Sequence, residues 1–475
     1  MDDPVLAVDL DGTVLRTDSL WESLLVLLRE QPLALVSVAL ALRQGRAAFK
    51  AQVAERVLPE VATLPLNEPL LAWLASERQA GRRLVLTTAA DRRIAEAVAE
   101  RVGLFDAVLA SDAGCNLKGG AKAAELVARF GAGGFDYVGD AHADLPVWRA
   151  ARRAVVVGGP DVERAARQVS EVERVFAPER RAATLLRVLR PHQWAKNLLI
   201  FLPLLAAHRF DGASLQAAVL AFVAFGLTAS AVYTLNDLLD VAADRRHPRK
   251  CRRPFAAGDL PLAWGPPLAF ALLASAAVLS LLTLPPLFSL VLGGYFLMTS
   301  AYSFGLKRRP VLDVLLLAAL YTVRVIAGAA AVAMTPSFWL LALSMFLFLS
   351  LALSKRYTEL DGLLQRGELT AAGRGWHVDD LPLVQTLGTS AGLVGVLVLA
   401  LYIDSAPARQ LYATPEILWL VCPLLLYWIA RLWFKTHRGE MHDDPVVFAL
   451  RDRMSLVIGA LAVAIVLLAA IGIGS

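Results

Sequence analysis

From about residue 197 onward, apolar runs some twenty residues long follow one another, and charge retreats into short connectors. About twenty apolar residues make one helical crossing of a bilayer. Backbone polar groups in lipid must be paired within the segment, so a chain of this kind is confined to a bundle of transmembrane helices. Nine spans are expected, near residues 190–207, 213–235, 264–283, 286–304, 311–331, 337–354, 383–403, 416–434 and 455–473. Arg190, His192 and Lys196 crowd the start of the first. Residues 1–185 instead alternate charged and apolar groups, as a soluble domain does. The 57% hydrophobic content belongs mostly to the later half.

The connectors alternate in charge. Arg245, Arg246, Arg249, Lys250, Arg252 and Arg253 follow the second span, and Lys307, Arg308 and Arg309 the fourth. Lys355, Arg356, Arg366 and Arg374 follow the sixth, and Arg438 and Arg451 the eighth. The intervening connectors carry little beyond Arg209 and Arg409. Positive charge marks the cytoplasmic side, which places these connectors and the N-terminal domain in the cytoplasm, in a bacterial-type plasma membrane. The formal net charge of +5 therefore reports topology, and no nucleic-acid partner is expected. Cys115, Cys251 and Cys422 are scattered without metal or disulfide spacing, in keeping with a reducing compartment. The opening VLAVDL reads as a strand, with no basic leader before it.

Acids stand among the basic connectors. In NDLLDVAADRRHPRK (236–250), Asn236, Asp237, Asp240 and Asp244 recur at spacings of three and four, so a helix would align them at the cytoplasmic mouth of the second span. Clustered carboxylates repel unless a cation joins them, and oxygen ligands suit Mg²⁺ bridging to a phosphate. The arginines and lysine behind them are phosphate donors. A Mg²⁺-bound diphosphate fits this stretch, and such charge at a membrane mouth is costly without a role.

NDxxDxxxD after a second span resembles the UbiA superfamily of intramembrane prenyltransferases, over roughly residues 185–475. RPHQWAKNLLIFLPL (190–204), NDLLDVAADRRHPRKCRRPFAAG (236–258), SKRYTEL (354–360) and MHDDPVVFALRDR (441–453) resemble one branch, the decaprenyl-phosphate phosphoribosyltransferases. Where aromatic prenyltransferases of the superfamily carry a second acidic motif, this chain has Lys355 and Arg356. The resemblance implies an all-α UbiA-like membrane domain. It would transfer 5-phosphoribose from phosphoribosyl pyrophosphate to a polyprenyl phosphate, with Mg²⁺ at Asn236, Asp237, Asp240 and Asp244. Lys196 with its neighbour Asn197, Lys355, Arg356 and Tyr357 are candidates for phosphate grip. Glu359 would bind ribose hydroxyls or hold Arg356. Arg249 and Arg253 would bind substrate phosphate or lipid headgroups. His442 and Asp443 are further substrate-binding candidates, although Asp-Asp-Pro also reads as a turn before a helix.

In the first half, VLAVDLDGTVLRTD (5–18) is an apolar strand ending in D-x-D-G-T, which delivers two carboxylates to the carboxyl edge of a sheet, where α/β sites lie. RRLVLTTAAD (82–91), LKGGAKAAEL (117–126) and FDYVGDAHADLP (135–146) follow. Together these resemble the haloacid dehalogenase (HAD) superfamily of phosphatases over about residues 1–160, with an α/β (Rossmannoid) fold. The resemblance implies Asp9 as nucleophile and Asp11 as general acid/base. Thr88, or its neighbour Thr87, would hold a phosphoryl oxygen, and Lys122, rather than Lys118, would balance charge. Asp140 and Asp144 would hold Mg²⁺ with Asp9 and the Asp11 carbonyl. Residues 21–50, interrupted by Arg29, Glu30 and Pro32, suggest two short helices within a small helical cap spanning about 20–70, resting on the bilayer, the membrane domain or the phosphatase core. Residues 161–185 read as a linker or interfacial helix, and 186–475 as the transferase domain.

The fusion suggests an order of action: transfer of phosphoribose to the lipid, then removal of the 5-phosphate, leaving polyprenyl-phosphoryl ribose for the cell envelope. The rivals are a quinone-type aromatic prenyltransferase fused to a phosphatase, a scaffold with both sites dead, and a transporter. The last has little support, because Arg324 is the main central charge, placed near the cytoplasmic cavity or an acid such as Asp313. Oligomeric state is open.

Overall fold

The computed structural model describes residues 4–41, 43, 45–112, 116–177, 181–370, 374–441 and 444–471. It divides into two compact units, Met1–Leu189 with Tyr233–Ala269, and Arg190–Val232 with Phe270–Ser475.

The first unit is built on six parallel strands: β1 (Val5–Val8), β2 (Leu84–Asp91), β3 (Ala107–Ser111), β4 (Phe135–Gly139), β5 (Arg153–Val157) and β6 (Glu171–Phe176), in the order β3-β2-β1-β4-β5-β6. Strand β1 pairs β2 through Val8↔Leu86 and β4 through Val8↔Val138. The order reverses at β1, so the loops after β1 and β4 open side by side, where open α/β sheets place their sites. Alternation sorts the core onto two faces: Leu6, Val8, Leu84 and Leu86 on one, Ala7, Val85, Tyr137 and Val156 on the other. Helix α1 (Ser19–Glu30), α2 (Ala34–Ala41) and α3 (Arg46–Arg56) form the cap around Leu27, Val38, Val53 and Val57. The expected pair of helices is thus three, because Pro32 and Gly45 each break the run. Further helices are α4 (Glu68–Gln79), α5 (Arg92–Val102), α6 (Gly120–Phe130), α7 (Leu145–Ala150), α8 (Pro160–Arg167) and α9 (Arg181–Leu189).

The expected linker at 161–185 is mostly not a linker. Val162 and Ala166 of α8 are buried on the sheet, and VERVF pairs as the outermost strand β6. Its polar alternation is that of a half-exposed edge strand, which an arginine count alone conceals.

Eight helices among the described residues are long and apolar enough to cross a membrane, against nine expected: Gly212–Leu239, Leu262–Thr283, Pro286–Phe304, Pro310–Ala331, Phe338–Leu364, Val378–Ile403, Pro415–His437 and Arg453–Ile471. The first expected span, 190–207, is a tight 3₁₀-type run, Pro191–Phe201, followed by one α-turn, Leu202–Ala206. Pro203 removes a backbone donor there. The run lies close on its neighbours through two glycines of the second unit. A Cβ on Gly328 would stand 2.0 Å from the Ile200 carbonyl oxygen, and one on Gly226 would stand 2.6 Å from the Trp194 ring. The Trp194 indole donates to Ser230 Oγ at 3.0 Å.

Candidate functional sites

In the first unit, Asp9 ends β1 with its amide bonded to the Val138 carbonyl at 3.0 Å. Carboxylate oxygens of Asp9, Asp140 and Asp144 lie within 4.8 Å of one another. Lys122 Nζ reaches Asp9 Oδ2 at 2.8 Å and donates to Tyr137 Oη at 2.8 Å, and that hydroxyl donates to Asp144 Oδ1 at 2.9 Å. Burial opposes charge on Lys122, but Asp9 and Asp144 outweigh it and the ammonium is held above its usual range. Burial first, then Asp9, pushes Asp140 and Asp144 up. Three hard oxygen donors that resist sharing negative charge are a donor set that fits Mg²⁺. Gly12 has φ +74°, and a Cβ there would meet Asp140 Oδ2 at 2.1 Å, so this turn must be glycine.

Asp11 accepts from Ser19 N at 2.8 Å and Ser19 Oγ at 3.0 Å. Burial, then Asp18, raises its carboxyl to about 7, which suits a group that must gain and lose a proton near neutrality. Thr87 and Thr88 are both buried. Thr88 Oγ1 accepts from Ala90 N at 3.0 Å, whereas the Thr87 hydroxyl has no hydrogen-bond partner among the described residues. Beside Asp11 is a cavity of about 310 Å³ lined by Phe49, Lys50, Val53, Ile94 and Lys118 among others. Lys50, which the motifs do not reveal, reaches it from the cap and donates to the Ala89 carbonyl at 2.8 Å; burial lowers its ammonium. Lys118 is thus brought to the cavity and Lys122 to Asp9.

Also in this unit, the 236–253 stretch does not form one uninterrupted helical face. Helix α11 (Gly212–Leu239) stops before Asp240, and α12 (Val241–Arg246) follows. Asp237 and Asp244 are buried and drawn together by Arg253, whose Nη1 donates to them at 3.0 and 2.6 Å. Burial pushes the Asp244 carboxyl up against the opposing pull of Arg253. Among the described residues, Asp237, Asp240 and Asp244 do not bring three carboxylate oxygens within 4.8 Å of one another, as the Asp9 cluster does. Of the four expected ligands, Asp237 and Asp244 thus stand as a carboxylate pair bridged by a guanidinium. Arg249 is exposed.

In the second unit, the side chains of Lys196 and Lys355 are 12% and 27% exposed and meet at one carboxylate. Asp444 Oδ2 lies 2.6 Å from Lys196 Nζ and 3.2 Å from Lys355 Nζ. Tyr321 Oη donates to both Asp444 oxygens at 3.0 Å. Burial disfavours the Asp444 charge, but Lys355 and Lys196 overcome it and hold the carboxyl far below the usual range. Neither Asp444 nor Tyr321 is among the site residues expected from the sequence. The signal for Asp444 was its place before Pro445, where it caps α20 (Pro445–Arg451) by accepting from Val446 N at 3.1 Å. The expected His442 and Asp443 lie outside the described residues.

Arg356 is not a phosphate grip. It is 0% exposed, with Nε 2.8 Å from Asp313 Oδ2 and Nη1 on Glu359, which also accepts from Arg374 at 3.0 Å. Of the two roles open to Glu359, the structure takes the holding of Arg356. The Tyr357 hydroxyl is bonded to His437 Nδ1 at 2.9 Å, so it too is engaged in packing α16 (Phe338–Leu364) on α19 (Val421–His437). Arg324 pairs not with Asp313 but with Asn197 Oδ1 at 2.9 Å and the Tyr295 hydroxyl at 3.1 Å. Next to Lys196 and Asp444 in sequence lies an apolar cavity of about 350 Å³, lined by Ala195, Leu198, Leu202, Phe210, Val446 and Leu450 among others.

Residues 197–459 match the UbiA prenyltransferase family, and residues 6–149 match haloacid dehalogenase-like hydrolase. The chain is 38% identical over 463 residues to uncharacterized protein y4nM of Sinorhizobium fredii, covering 96% of this chain and 89% of that one. It is 33% identical over 287 residues to decaprenyl-phosphate phosphoribosyltransferase of Mycolicibacterium smegmatis, 58% of this chain and 89% of the relative. A solved UbiA homologue from Archaeoglobus fulgidus bound to GPP and Mg²⁺ aligns with a TM-score of 0.47 and 17% identity, over 61% of this chain and all of that one. The fused arrangement read from the motifs is borne out in both halves.

Proposed function

This chain belongs to the UbiA prenyltransferase family and carries a haloacid dehalogenase-like hydrolase domain ahead of it, and we propose that it transfers 5-phosphoribose from phosphoribosyl pyrophosphate to a polyprenyl phosphate and then removes the 5-phosphate. The observation that carries the transfer step is the meeting of Lys196 and Lys355 at Asp444. Two mostly buried ammonium groups, one of them (Lys355) where aromatic prenyltransferases would have acid, make an anion grip, and a lipid phosphate is the acceptor such a grip suits. The adjoining apolar cavity suits the first isoprene units behind that phosphate.

In this reading Asp237 and Asp244 are the carboxylates that would hold Mg²⁺, with Arg253 moving from them onto phosphate. When bound there, Mg²⁺ neutralises the leaving diphosphate. The lipid phosphate oxygen bonds to the anomeric carbon as the bond to pyrophosphate breaks. That oxygen is already anionic, so no general base is needed, and Lys196 and Lys355 contribute by orienting it. In the hydrolase, Asp9 attacks phosphorus, Asp11 protonates the departing ribose 5-oxygen and then takes a proton from the water that releases phosphate. Lys50 and Lys118 beside the cavity suit a leaving group that is itself anionic, as a lipid phosphodiester is. The basic connectors support a cytoplasmic placing of both reactions in a bacterial-type inner membrane.

The test uses the full chain in detergent with Mg²⁺, polyprenyl phosphate and ribose-labelled phosphoribosyl pyrophosphate. Label in extracted lipid, lost in Asp237→Asn, is expected. No label in lipid, with prenylation of hydroxybenzoate from a prenyl diphosphate, would replace this reading with the aromatic one.

A further inference from the structure

We infer that Glu22, in the cap of the hydrolase domain, is a positioning residue for the transferase motif, acting through Arg245; the inference rests on the proposed role of Asp237 and Asp244. Arg245 stands next to Asp244 in α12. Its Nη2 and Nη1 donate to Glu22 Oε1 and Oε2 at 2.6 and 3.0 Å, and its Nε donates to the Ala256 carbonyl at 3.1 Å. Glu22 also accepts from Thr17 Oγ1 at 2.6 Å. Both side chains are almost fully buried, 4% and 5% exposed. A buried ion pair holds only when its geometry is good and its remaining donors and acceptors are met, and here the paired fork is completed on both sides.

The pair does not stand alone. Asp259 accepts from Arg16 at 2.7 Å and Arg187 at 3.0 Å. Gly258, at φ +74°, lies so close to the Arg16 backbone that a Cβ would be 2.5 Å from its carbonyl oxygen. Trp21 and Leu25 of α1 pack on Leu238, Val241, Phe255, Leu260 and Leu262. The connector that carries Asp244 and Arg253 is therefore seated on residues 16–25 of the first domain. The family match begins only at residue 197, so nothing in the transferase pattern supplies this seat. Within the seat, Glu22 is one turn from Ser19, which holds Asp11 at the other end of the helix start. Freeing Arg245 would let α12 turn and present its guanidinium to Asp244, competing for the carboxylate that the diphosphate site requires.

The experiment measures binding of Mg²⁺–pyrophosphate to the full chain in detergent, in an Asp9→Asn background, with ribose transfer and its KM and kcat recorded beside it. Asp237→Asn assigns the binding to the motif. Hydrolysis of p-nitrophenyl phosphate is followed in otherwise native chains. Glu22→Gln is expected to weaken Mg²⁺–pyrophosphate and raise KM for phosphoribosyl pyrophosphate about tenfold, with kcat and p-nitrophenyl phosphate hydrolysis within about threefold. The exchange Glu22→Arg with Arg245→Glu is expected to recover most of that affinity. Unchanged binding in a folded Glu22→Gln chain overturns the inference while transfer by the parent leaves the transferase reading standing. Equal loss at both sites with no recovery in the exchanged pair means a structural role only, and also overturns it. No Mg²⁺–pyrophosphate binding by the parent overturns both.

Discussion

Gly12→Ala separates backbone strain from site geometry in the hydrolase. Gly12 has φ +74°, and its added Cβ would lie 2.1 Å from Asp140 Oδ2, whereas ordinary contact begins near 3.4 Å. Asp140 must retreat by about 1.3 Å. Mg²⁺ binds oxygen at about 2.0–2.1 Å in near-ideal octahedra, so a displacement of that size removes the ligand from the shell. Gly103 is the control: φ is +68° and a Cβ there meets nothing within 4 Å. Each alanine costs about 1–2 kcal/mol for the left-handed conformation. Only Gly12→Ala should also raise the Mg²⁺ concentration needed for half-maximal hydrolysis, by about 10–100-fold, the range seen when the support of a metal ligand is lost. Mg²⁺ titration of p-nitrophenyl phosphate hydrolysis, with melting temperatures for both variants, measures the two effects separately. Equal Mg²⁺ requirements in Gly12→Ala and Gly103→Ala would refute the assignment of Asp140 to a metal shell.

Three other outcomes follow from particular contacts. The carboxyl of Asp11 is raised to about 7, and those of Asp140 and Asp144 are raised as well; folded carboxyls that hold protons more tightly than the unfolded chain favour folding as pH falls. Metal-free β1 and β4 should therefore lose hydrogen-exchange protection as pH rises from about 4 to about 7, after correction for intrinsic rates, and Mg²⁺ should restore it at pH 8. Lys355→Met removes one charge-assisted phosphate contact worth about 1.5–3 kcal/mol, so KM for polyprenyl phosphate should rise about tenfold or more while p-nitrophenyl phosphate hydrolysis is unchanged. Asp313→Asn leaves the fully buried Arg356 with Glu359 as its remaining carboxylate; loss of a buried pair's partner costs up to about 3–5 kcal/mol, and a thermal melt in detergent should show destabilisation.

The hydrolase site was legible because its residues sit at strand ends, where local pattern fixes direction: an apolar run followed by D-x-D-G-T puts Asp9 at the edge of β1 whatever the rest of the chain does. Lys122 and Asp144 followed from the same logic and meet Asp9 or each other in space. The transferase site was legible only in part. Lys196 and Lys355 were found, but Asp444, which joins them from 89 residues beyond Lys355, depends on tertiary pairing that spacing does not encode. Arg356 follows the same rule: by sequence it is a second donor beside Lys355, but its partner Asp313 lies 43 residues earlier. Hydropathy alone makes 190–207 a span; the close approaches at Gly226 and Gly328 lie elsewhere in the chain. Glu22 is an acid in the first turn of α1, and nothing in the sequence connects it with Arg245, 223 residues away.

The most direct measurement of the two-step account is the mass of the ribosylated lipid formed from phosphoribosyl pyrophosphate and polyprenyl phosphate by the parent chain and by Asp9→Asn. Polyprenyl-phosphoryl ribose is expected from the parent, and the same lipid heavier by one phosphate from Asp9→Asn, in similar amounts. Identical products from both, with or without the 5-phosphate, would contradict it.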